Sequence, residues 1–264
     1  MHGWRPLVLV GLALLILGQA CTSEPPQEKA ARQLERARQA WLAGNYTQAE
    51  ADYQRYLQTF AQGAGRGEAW RRLIDISLIV WGNPAAAVPL LDAARLEVDP
   101  DDPALVDLLV TTVDVALQME NTAKALDVLQ TLGARTDLSP DQRIWVALHR
   151  EQAYAKRHDL PAARQSLEGC RQMDLPPATT APCSLRLAGL LATSGQPEQA
   201  AVIWQSVLQD ETVAPKWRAQ AGFALAEAAE AHRDKNTARQ LYETIKDWYP
   251  NPMVIQRKLD YLAK

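Results

Sequence analysis

The stretch GNYTQAEADY, residues 44–53, combines a tight turn with the start of a helix. Gly44 and Asn45 are typical turn residues, and an asparagine side chain can also accept a hydrogen bond from a backbone amide at the start of a helix. Beyond them, Ala49 and Tyr53 are four residues apart and therefore share one helical face. The stretch predicts a helix hairpin in which Gly44-Asn45 is the turn and the next residue begins the second helix.

A similar arrangement occurs six times along the chain of 264 residues. The alanines that close the copies are separated by 38, 38, 38, 37 and 38 residues. Three further positions repeat with them: a mostly short polar residue four places before, and apolar residues four and seven places after. Spacing of this kind puts the apolar positions on one helical stripe, which we expect to be buried. The alanines are Ala49, Ala87, Ala125, Ala163, Ala200 and Ala238; the polar residues are Asn45, Asn83, Asn121, Asp159, Gln196 and Asp234; the apolar pairs are Tyr53 and Tyr56, Leu91 and Ala94, Leu129 and Leu132, Leu167 and Cys170, Trp204 and Val207, Tyr242 and Ile245.

Another helical segment precedes each turn, as in ARQLERARQAWLA at residues 31–43 and RIWVALHREQAYAK at residues 143–156. Glycine- or proline-containing segments separate the units and are expected to end them, among them Ser139-Pro140, Pro176-Pro177 and Pro215. Each unit is therefore a helix, a turn, a helix and a stop. The sequence predicts an all-α fold.

This pattern resembles the tetratricopeptide repeat, which has a small residue in the first helix, glycine before the turn, a small residue after it and an aromatic residue four places later. The first-helix small position falls on Ala37, Ala188 and Ala226, but on Asp75, Val113 and Glu151 in the other copies. The resemblance implies a right-handed α-solenoid of about six repeats at residues 30–67, 68–105, 106–143, 144–180, 181–218 and 219–251, followed by a capping helix at 252–264. In that helix Asn251 is the expected cap, Pro252 the first residue, and Ile255, Leu259 and Leu262 the packing side.

The first helices of such repeats line a concave groove, and the alignment assigns eleven residues of this chain to it. Aromatic and arginine side chains are frequent binding anchors, although packing or solvated-surface roles are the alternative for most of these positions. The lysine and asparagine clamp that the family uses for chaperone tails is replaced by Leu34 and Arg38, which disfavours that partner. The predicted groove residues are Leu34, Arg38, Trp41, Arg72, Ile76, Trp145, His149, Gln152, Arg186, Phe223 and Glu227.

Residues 1–20 have the features of an export signal, because Arg5 precedes the apolar run LVLVGLALLILG at residues 7–18. Twelve apolar residues are too few for a stable membrane span, which needs about 20. The following LGQACTSEPP is similar to a bacterial lipoprotein signal, in which Cys21 would be acylated and residues 21–29 would form a flexible tether. Small residues at Gly18 and Ala20 also suit ordinary signal peptidase, which would leave a soluble periplasmic protein.

The chain has three cysteines. If Cys21 carries lipid, Cys170 and Cys183 remain as an even pair in an oxidising compartment, where a disulfide is expected. The alternative is two buried thiols.

The remaining chemistry of the sequence is sparse. The four histidines do not have the spacing of a metal-binding motif, and DPDDP at residues 99–103 lacks the glycine and distal glutamate of a calcium loop. No phosphate-binding loop or nucleophile motif occurs. With a net charge of −3 and no basic block, a nucleic-acid partner is not expected. The sequence predicts no catalytic residue, no metal site and no cofactor.

Together these features favour a non-enzymatic, membrane-anchored scaffold that faces the periplasm at the bacterial outer membrane and binds envelope proteins or peptides. The stretch ARQAWLAGNYTQAEADYQRYLQTF is similar to the first repeat of lipoproteins of outer-membrane barrel assembly, and pilus-assembly lipoproteins are a comparable analogy. The alternative is a small-molecule carrier or accessory subunit that uses the apolar concave groove.

Overall fold

The computed structural model describes residues 25–99 and 104–263, and every regular element in these ranges is helical, so the all-α prediction is confirmed. The predicted signal peptide and Cys21 lie outside the described residues. The helices are α1 Pro26–Leu42, α2 Tyr46–Thr59, α3 Arg66–Asp75, α4 Pro84–Glu97, α5 Ala104–Gln118, α6 Thr122–Gly133, α7 Pro140–Lys156, α8 Leu160–Arg171, α9 Pro177–Thr193, α10 Pro197–Gln209, α11 Pro215–Ala231, α12 Lys235–Ile245 and α13 Pro252–Leu262.

These helices form pairs joined by short turns. The first members, here called the A helices, are α1, α3, α5, α7, α9 and α11; the second members, the B helices, are α2, α4, α6, α8, α10 and α12. The A helices begin up to four residues before the predicted repeat boundaries, since α7, α9 and α11 start at Pro140, Pro177 and Pro215. These prolines therefore open helices, where a missing amide costs nothing, and do not end the preceding ones.

The turn between the A and B helices has a left-handed residue followed by a helix cap in all six pairs. One residue takes a positive φ of 57° to 79°, and the next residue begins the B helix as its cap. In five caps the side chain accepts a hydrogen bond from the amide three residues on, whereas Gln196 makes no such bond. The positive-φ residues are Gly44, Gly82, Glu120, His158, Gly195 and Arg233.

The apolar stripe predicted for the B helices is confirmed. All six closing alanines have no exposed surface, and the twelve apolar residues that follow them are at most 9% exposed. An alanine at this place lets the backbones of the paired helices approach closely, while the larger side chains fill the space beside it. The stripe is the core side of each B helix.

The described chain divides into two compact units, one ending at Leu73 and the other beginning at Ile74. In the second unit each helix from α4 to α13 packs against the next one, and the A helix α9 also packs against α7 and α11. The loop between repeats is held in a similar way in both units. The Arg66 Nη1 donates to the carbonyl oxygens of Leu57 and Phe60, at 2.6 and 3.0 Å, and Arg218 Nε donates to that of Leu208 at 2.9 Å.

The A helix of the second repeat ends in a π-helical turn, Ile76–Val80, which follows α3 directly. Here the Asn83 amide donates to the carbonyl of Ser77, six residues back, while Asn45 and Asn121 donate to carbonyls five residues back. The turn thus accommodates one additional residue. Each residue advances a helix by about 100°. The additional residue therefore shifts the residues of α3 by one position relative to the alignment, so that each faces the direction expected for the residue after it.

Two predictions at the ends of the repeat region are corrected. Residues 26–29 do not belong to a flexible tether, because α1 begins at Pro26, a favourable first helical residue. At the other end, Pro252 does begin α13, but the Asn251 side chain makes no capping hydrogen bond. Ile255 and Leu262 are buried and Leu259 packs beside them, so α13 covers the last repeat with its predicted side.

Cys170 in α8 and Cys183 in α9 are bonded to each other, with their Cα atoms 6.2 Å apart. Both residues are fully buried. The disulfide therefore connects the B helix of the fourth repeat to the A helix of the fifth.

Candidate functional site

In the first unit, Trp41 is the predicted groove residue whose ring contacts side chains of two other helices. It is half-buried on α1, and the guanidinium carbon of Arg72 lies 4.6 Å from its ring centroid. The ring of Tyr46 meets it edge-on at 5.3 Å. A guanidinium over an indole face is attracted by the quadrupole of the ring, so the two side chains hold each other in place.

Arg38 lies one turn before Trp41 on α1 and pairs with a carboxylate on α3. Its Nε and Nη2 donate to Glu68 Oε1 and Oε2 at 2.8 and 2.5 Å. These hydrogen bonds hold the pKa of Glu68 below its usual range, and they raise that of Arg38. The Arg38 side chain is nevertheless 44% exposed, so the pair is accessible from solvent.

In the second unit, Trp145 and His149 stack on α7 with ring centroids 3.7 Å apart. The His149 Nδ1 lies 2.7 Å from the Trp145 carbonyl oxygen, which only accepts, so Nδ1 is the protonated ring nitrogen. The His149 Nε2 is 3.9 Å from Asp114 Oδ1 on α5. Burial raises the pKa of the Asp114 carboxyl, and the nearby imidazole opposes that rise.

Arg186, another predicted groove residue, is occupied by an ion pair. It donates from Nε to Glu151 Oε2 at 3.0 Å, and its Nη2 contacts the same oxygen. Glu151 is only 6% exposed and stands at the position that is usually a small residue in the first helix. Removing Arg186 would leave a buried carboxylate without its cation, so this arginine supports the packing of α7 and α9. Gln152, the next residue on α7, is half-buried.

The last two predicted groove residues lie where α11 meets the C-terminal segment. The ring of Phe223 stacks on Tyr249 at 4.9 Å and meets Tyr242 edge-on at 5.6 Å. Glu227 Oε1 lies 3.5 Å from Lys258 Nζ on α13. Phe223 is therefore held in an aromatic cluster and is half-buried.

Two of the predicted groove residues do not line a surface. Leu34 is 7% exposed and Ile76 is fully buried. Ile76 is buried because the π-helical turn contains one additional residue. That residue rotates the helix relative to the alignment, so that Ile74 and Ile76 lie on its buried side. The small-residue position predicted at Asp75 is taken by the buried Ile74 for the same reason.

The structure adds ion-pair partners of the groove residues that the sequence analysis did not assign to the groove. Glu68, Asp114, Glu151 and Lys258 each pair with a predicted groove residue from a neighbouring helix. Only Glu151 gave a usable signal, because a carboxylate at a small buried position requires a cation nearby. Two of the other pairs depend on how consecutive A helices are placed, and the pair of Glu227 with Lys258 depends on how α13 is placed beside α11.

Within residues 25–99 and 104–263, no group of three or more histidine, cysteine, aspartate or glutamate side chains is arranged to hold a metal ion. In the same ranges no helix has the length and apolarity needed to cross a bilayer.

The decisive feature of the described residues is the repetition of one helix pair. Each copy has a left-handed residue in the turn, a cap residue directly after it and a buried alanine four residues after the cap. The chain has a tetratricopeptide-repeat fold. It is similar to the crystal structure of BtubC (BKLC) from P. vanneervenii, with a TM-score of 0.53, 17% identity, and coverage of 85% of this chain and 92% of that one.

Two further solved structures have lower TM-scores and coverage of 90% of this chain and 100% of theirs. They are pilF from Pseudomonas aeruginosa, with a TM-score of 0.49 and 14% identity, and a tetratricopeptide repeat protein from Parabacteroides merdae ATCC 43184, with 0.45 and 13%. No protein-family model and no curated protein matches the chain.

Proposed function

We propose that this protein is a non-enzymatic scaffold of the bacterial envelope that binds proteins or peptides through its A helices. The observation that carries the proposal is the pair of accessible aromatic side chains, Trp41 and Trp145, each held in a fixed orientation by a neighbour. Arg72 lies over the first ring and His149 stacks on the second. We name the surface around these side chains in each unit the A-helix face.

Fixed aromatic and arginine side chains are the usual anchors of protein interfaces, because they bury a large area without a large loss of side-chain freedom. On the A-helix face, the neighbouring side chains already restrict the two tryptophans in the free protein, so less side-chain freedom is lost on binding. Arg38 and Glu68 add an accessible pair of opposite charges next to Trp41, which suits the polar rim of an interface. A partner segment that binds the A-helix face of either unit should therefore supply an apolar side chain for the tryptophan ring of that unit and polar groups around it.

The envelope location rests on two features. Residues 1–21 have the pattern of a lipoprotein signal ending at Cys21, and the disulfide between Cys170 and Cys183 is of the kind that persists in oxidising compartments. Both features favour a periplasm-facing lipoprotein of the outer membrane. Complexes that assemble outer-membrane barrels, pili or secretion machines are the partner class that this location implies.

Site-specific photo-crosslinking in cells tests the binding face. A crosslinking amino acid at Gln152, on the A-helix face, should capture a discrete partner. The same amino acid at Val202, which is 70% exposed on the B helix α10, should capture it much less. With the partner identified, Trp41→Ala and Trp145→Ala should each weaken binding by about tenfold or more, as expected for interface anchors.

Val202→Ala is the matched control for the two tryptophan variants and should bind normally. All three variants should keep the helical content of the wild type. Val202→Ala should also keep its unfolding midpoint, whereas the two half-buried tryptophans contribute packing, so binding by their variants is compared well below their own unfolding midpoints. Normal binding by both tryptophan variants, or capture from Val202 alone, would contradict the A-helix face as the site.

Membrane fractionation tests the anchor separately. The wild type should be in the outer-membrane fraction and should incorporate a labelled fatty acid, whereas Cys21→Ser should do neither. A soluble wild type would favour ordinary signal-peptidase cleavage. A Cys21→Ser variant that stays on the membrane would show that lipid on Cys21 is not the anchor.

A further inference from the structure

A cleft of about 740 Å³ opens between the B helices α6 and α8, with α7 as its floor. Pockets that bury small ligands or side chains of partners have volumes of this size. The lining of the cleft is apolar in part and includes Leu126 on α6, Val146 on α7 and Met173 just after α8. We name this site the α6–α8 cleft.

The α6–α8 cleft is separate from the A-helix face, although both use α7. Its α7 residues, among them Arg143, Ala147 and Arg150, follow one another at helical spacings of three and four. Trp145 and His149 lie about half a turn away from them, since each residue advances the helix by about 100°. A ligand in the cleft therefore need not contact the A-helix face.

Two guanidinium groups give the cleft a positive charge. Arg143 Nε donates to the carbonyl of Leu138 at 3.2 Å, and Arg150 Nη2 donates to that of Leu129 at 3.1 Å. Among the described residues, neither group forms an ion pair with a carboxylate. Carbonyl acceptors fix the orientation of a guanidinium without neutralising it, so each arginine keeps its charge and its remaining donors.

The rest of the lining does not cancel this charge. Among the described residues that line the cleft, Asp127 is the one with a carboxylate. A third arginine in the lining, Arg135, forms an ion pair with Asp137. The cleft thus has an excess of positive charge in a protein whose net charge is −3.

Two glycines line the cleft. A Cβ atom at Gly133 would collide with the Arg150 guanidinium, so this glycine makes room for the arginine beside the end of α6. A Cβ atom at Gly169 on α8 would meet no other atom within 4 Å. Glycine within a helix is less favourable than alanine, so the absence of a side chain at Gly169 lowers the stability of α8.

We propose that the α6–α8 cleft binds an acidic, extended peptide segment of a partner protein, in which carboxylates flank an apolar side chain. The carboxylates would lie against Arg143 and Arg150, whose planar groups recognise such anions with two parallel hydrogen bonds. The apolar side chain would pack against Leu126 and Val146. This site is additional to the A-helix face and does not depend on it.

Fluorescence anisotropy with the full chain tests the proposal. The probe is a labelled peptide of repeating Glu-Glu-Leu sequence, and the control probe has Gln in place of Glu. The acidic peptide should bind more tightly, and its affinity should fall as salt is added.

Substitutions at Gly169 then locate the site, because a Cβ atom at this position would meet no other atom within 4 Å. Gly169→Glu should weaken binding of the acidic peptide by about tenfold relative to the isosteric Gly169→Gln, since it places a negative charge beside the expected carboxylates. Gly169→Ala should bind like the wild type, and Trp41→Ala and Trp145→Ala should leave this affinity unchanged. Equal binding of the two probes, or wild-type affinity in Gly169→Glu, would overturn the proposal, whereas loss of binding in the tryptophan variants would move the peptide to the A-helix face.

Discussion

At the scale of single residues, the turn between the A and B helices is the most uniform feature of this protein. Its left-handed residue is glycine in three repeats and Glu120, His158 or Arg233 in the other three. A side chain in this conformation costs about 1–2 kcal/mol, and the backbone hydrogen bonds that close the helix end offset that cost. The Asn121 amide, for example, donates to the Ala116 carbonyl at 2.8 Å. The sequence predicted the turn from Gly44-Asn45, but three of the left-handed residues had no glycine to mark them.

The same chemical change should therefore have opposite effects at two glycines of the second unit. Gly195 has a φ of 79° and Gly169 lies within α8, and an added Cβ would meet no other atom within 4 Å at either place. We expect Gly195→Ala to lower the free energy of unfolding by about 1–2 kcal/mol, because alanine is strained at positive φ. Gly169→Ala should raise it by about 1 kcal/mol, because alanine is the better helix former.

Urea unfolding of the two variants and the wild type, monitored by circular dichroism, measures these differences. Each variant is the control for the other, since both add one methyl group next to open space. Equal effects of the same sign would contradict the conformational explanation.

At the scale of helices, the B helices were predictable and the A helices only in part. The buried stripe of each B helix repeats with the period of the chain, so one alignment located all eighteen of its positions. The A helices carry the candidate site, and their side chains pair with those of neighbouring A helices, as Glu151 does with Arg186. Such pairs depend on the distance and angle between two repeats, which the sequence pattern of one repeat does not contain.

The π-helical turn Ile76–Val80 shows why a regular period can still mislead. The closing alanines remain 38 residues apart on both sides of this repeat, so the additional residue leaves no trace in the spacing. The alignment consequently assigned Ile76 to the groove, although that side chain is fully buried. An alignment that starts from the turn therefore assigns the correct direction only to side chains that an uninterrupted α-helix joins to that turn.

At the scale of the whole molecule, the disulfide makes the stability of the protein depend on the redox conditions around it. In a chain of stacked repeats, stability comes from the interfaces between neighbours, and weakening one interface lowers the stability of the repeats it joins. Cys170 and Cys183 join the fourth repeat to the fifth across one such interface, between α8 and α9. The same chain should be less stable in a reducing environment than in an oxidising one.

We expect reduction of this disulfide to lower the free energy of unfolding of the second unit by about 3 kcal/mol, the entropy term for closing a loop of this length. The two cysteines are 13 residues apart in sequence, and the bond acts mainly by restricting the unfolded chain. Urea unfolding with and without reductant measures the effect, and the variant with both Cys170→Ala and Cys183→Ala should be insensitive to reductant. Thiol counting of the oxidised, unfolded wild type should find neither cysteine free. Two reactive thiols, or equal stability of the wild type under both conditions, would show that the pair acts only as buried packing and would remove one support for an envelope location.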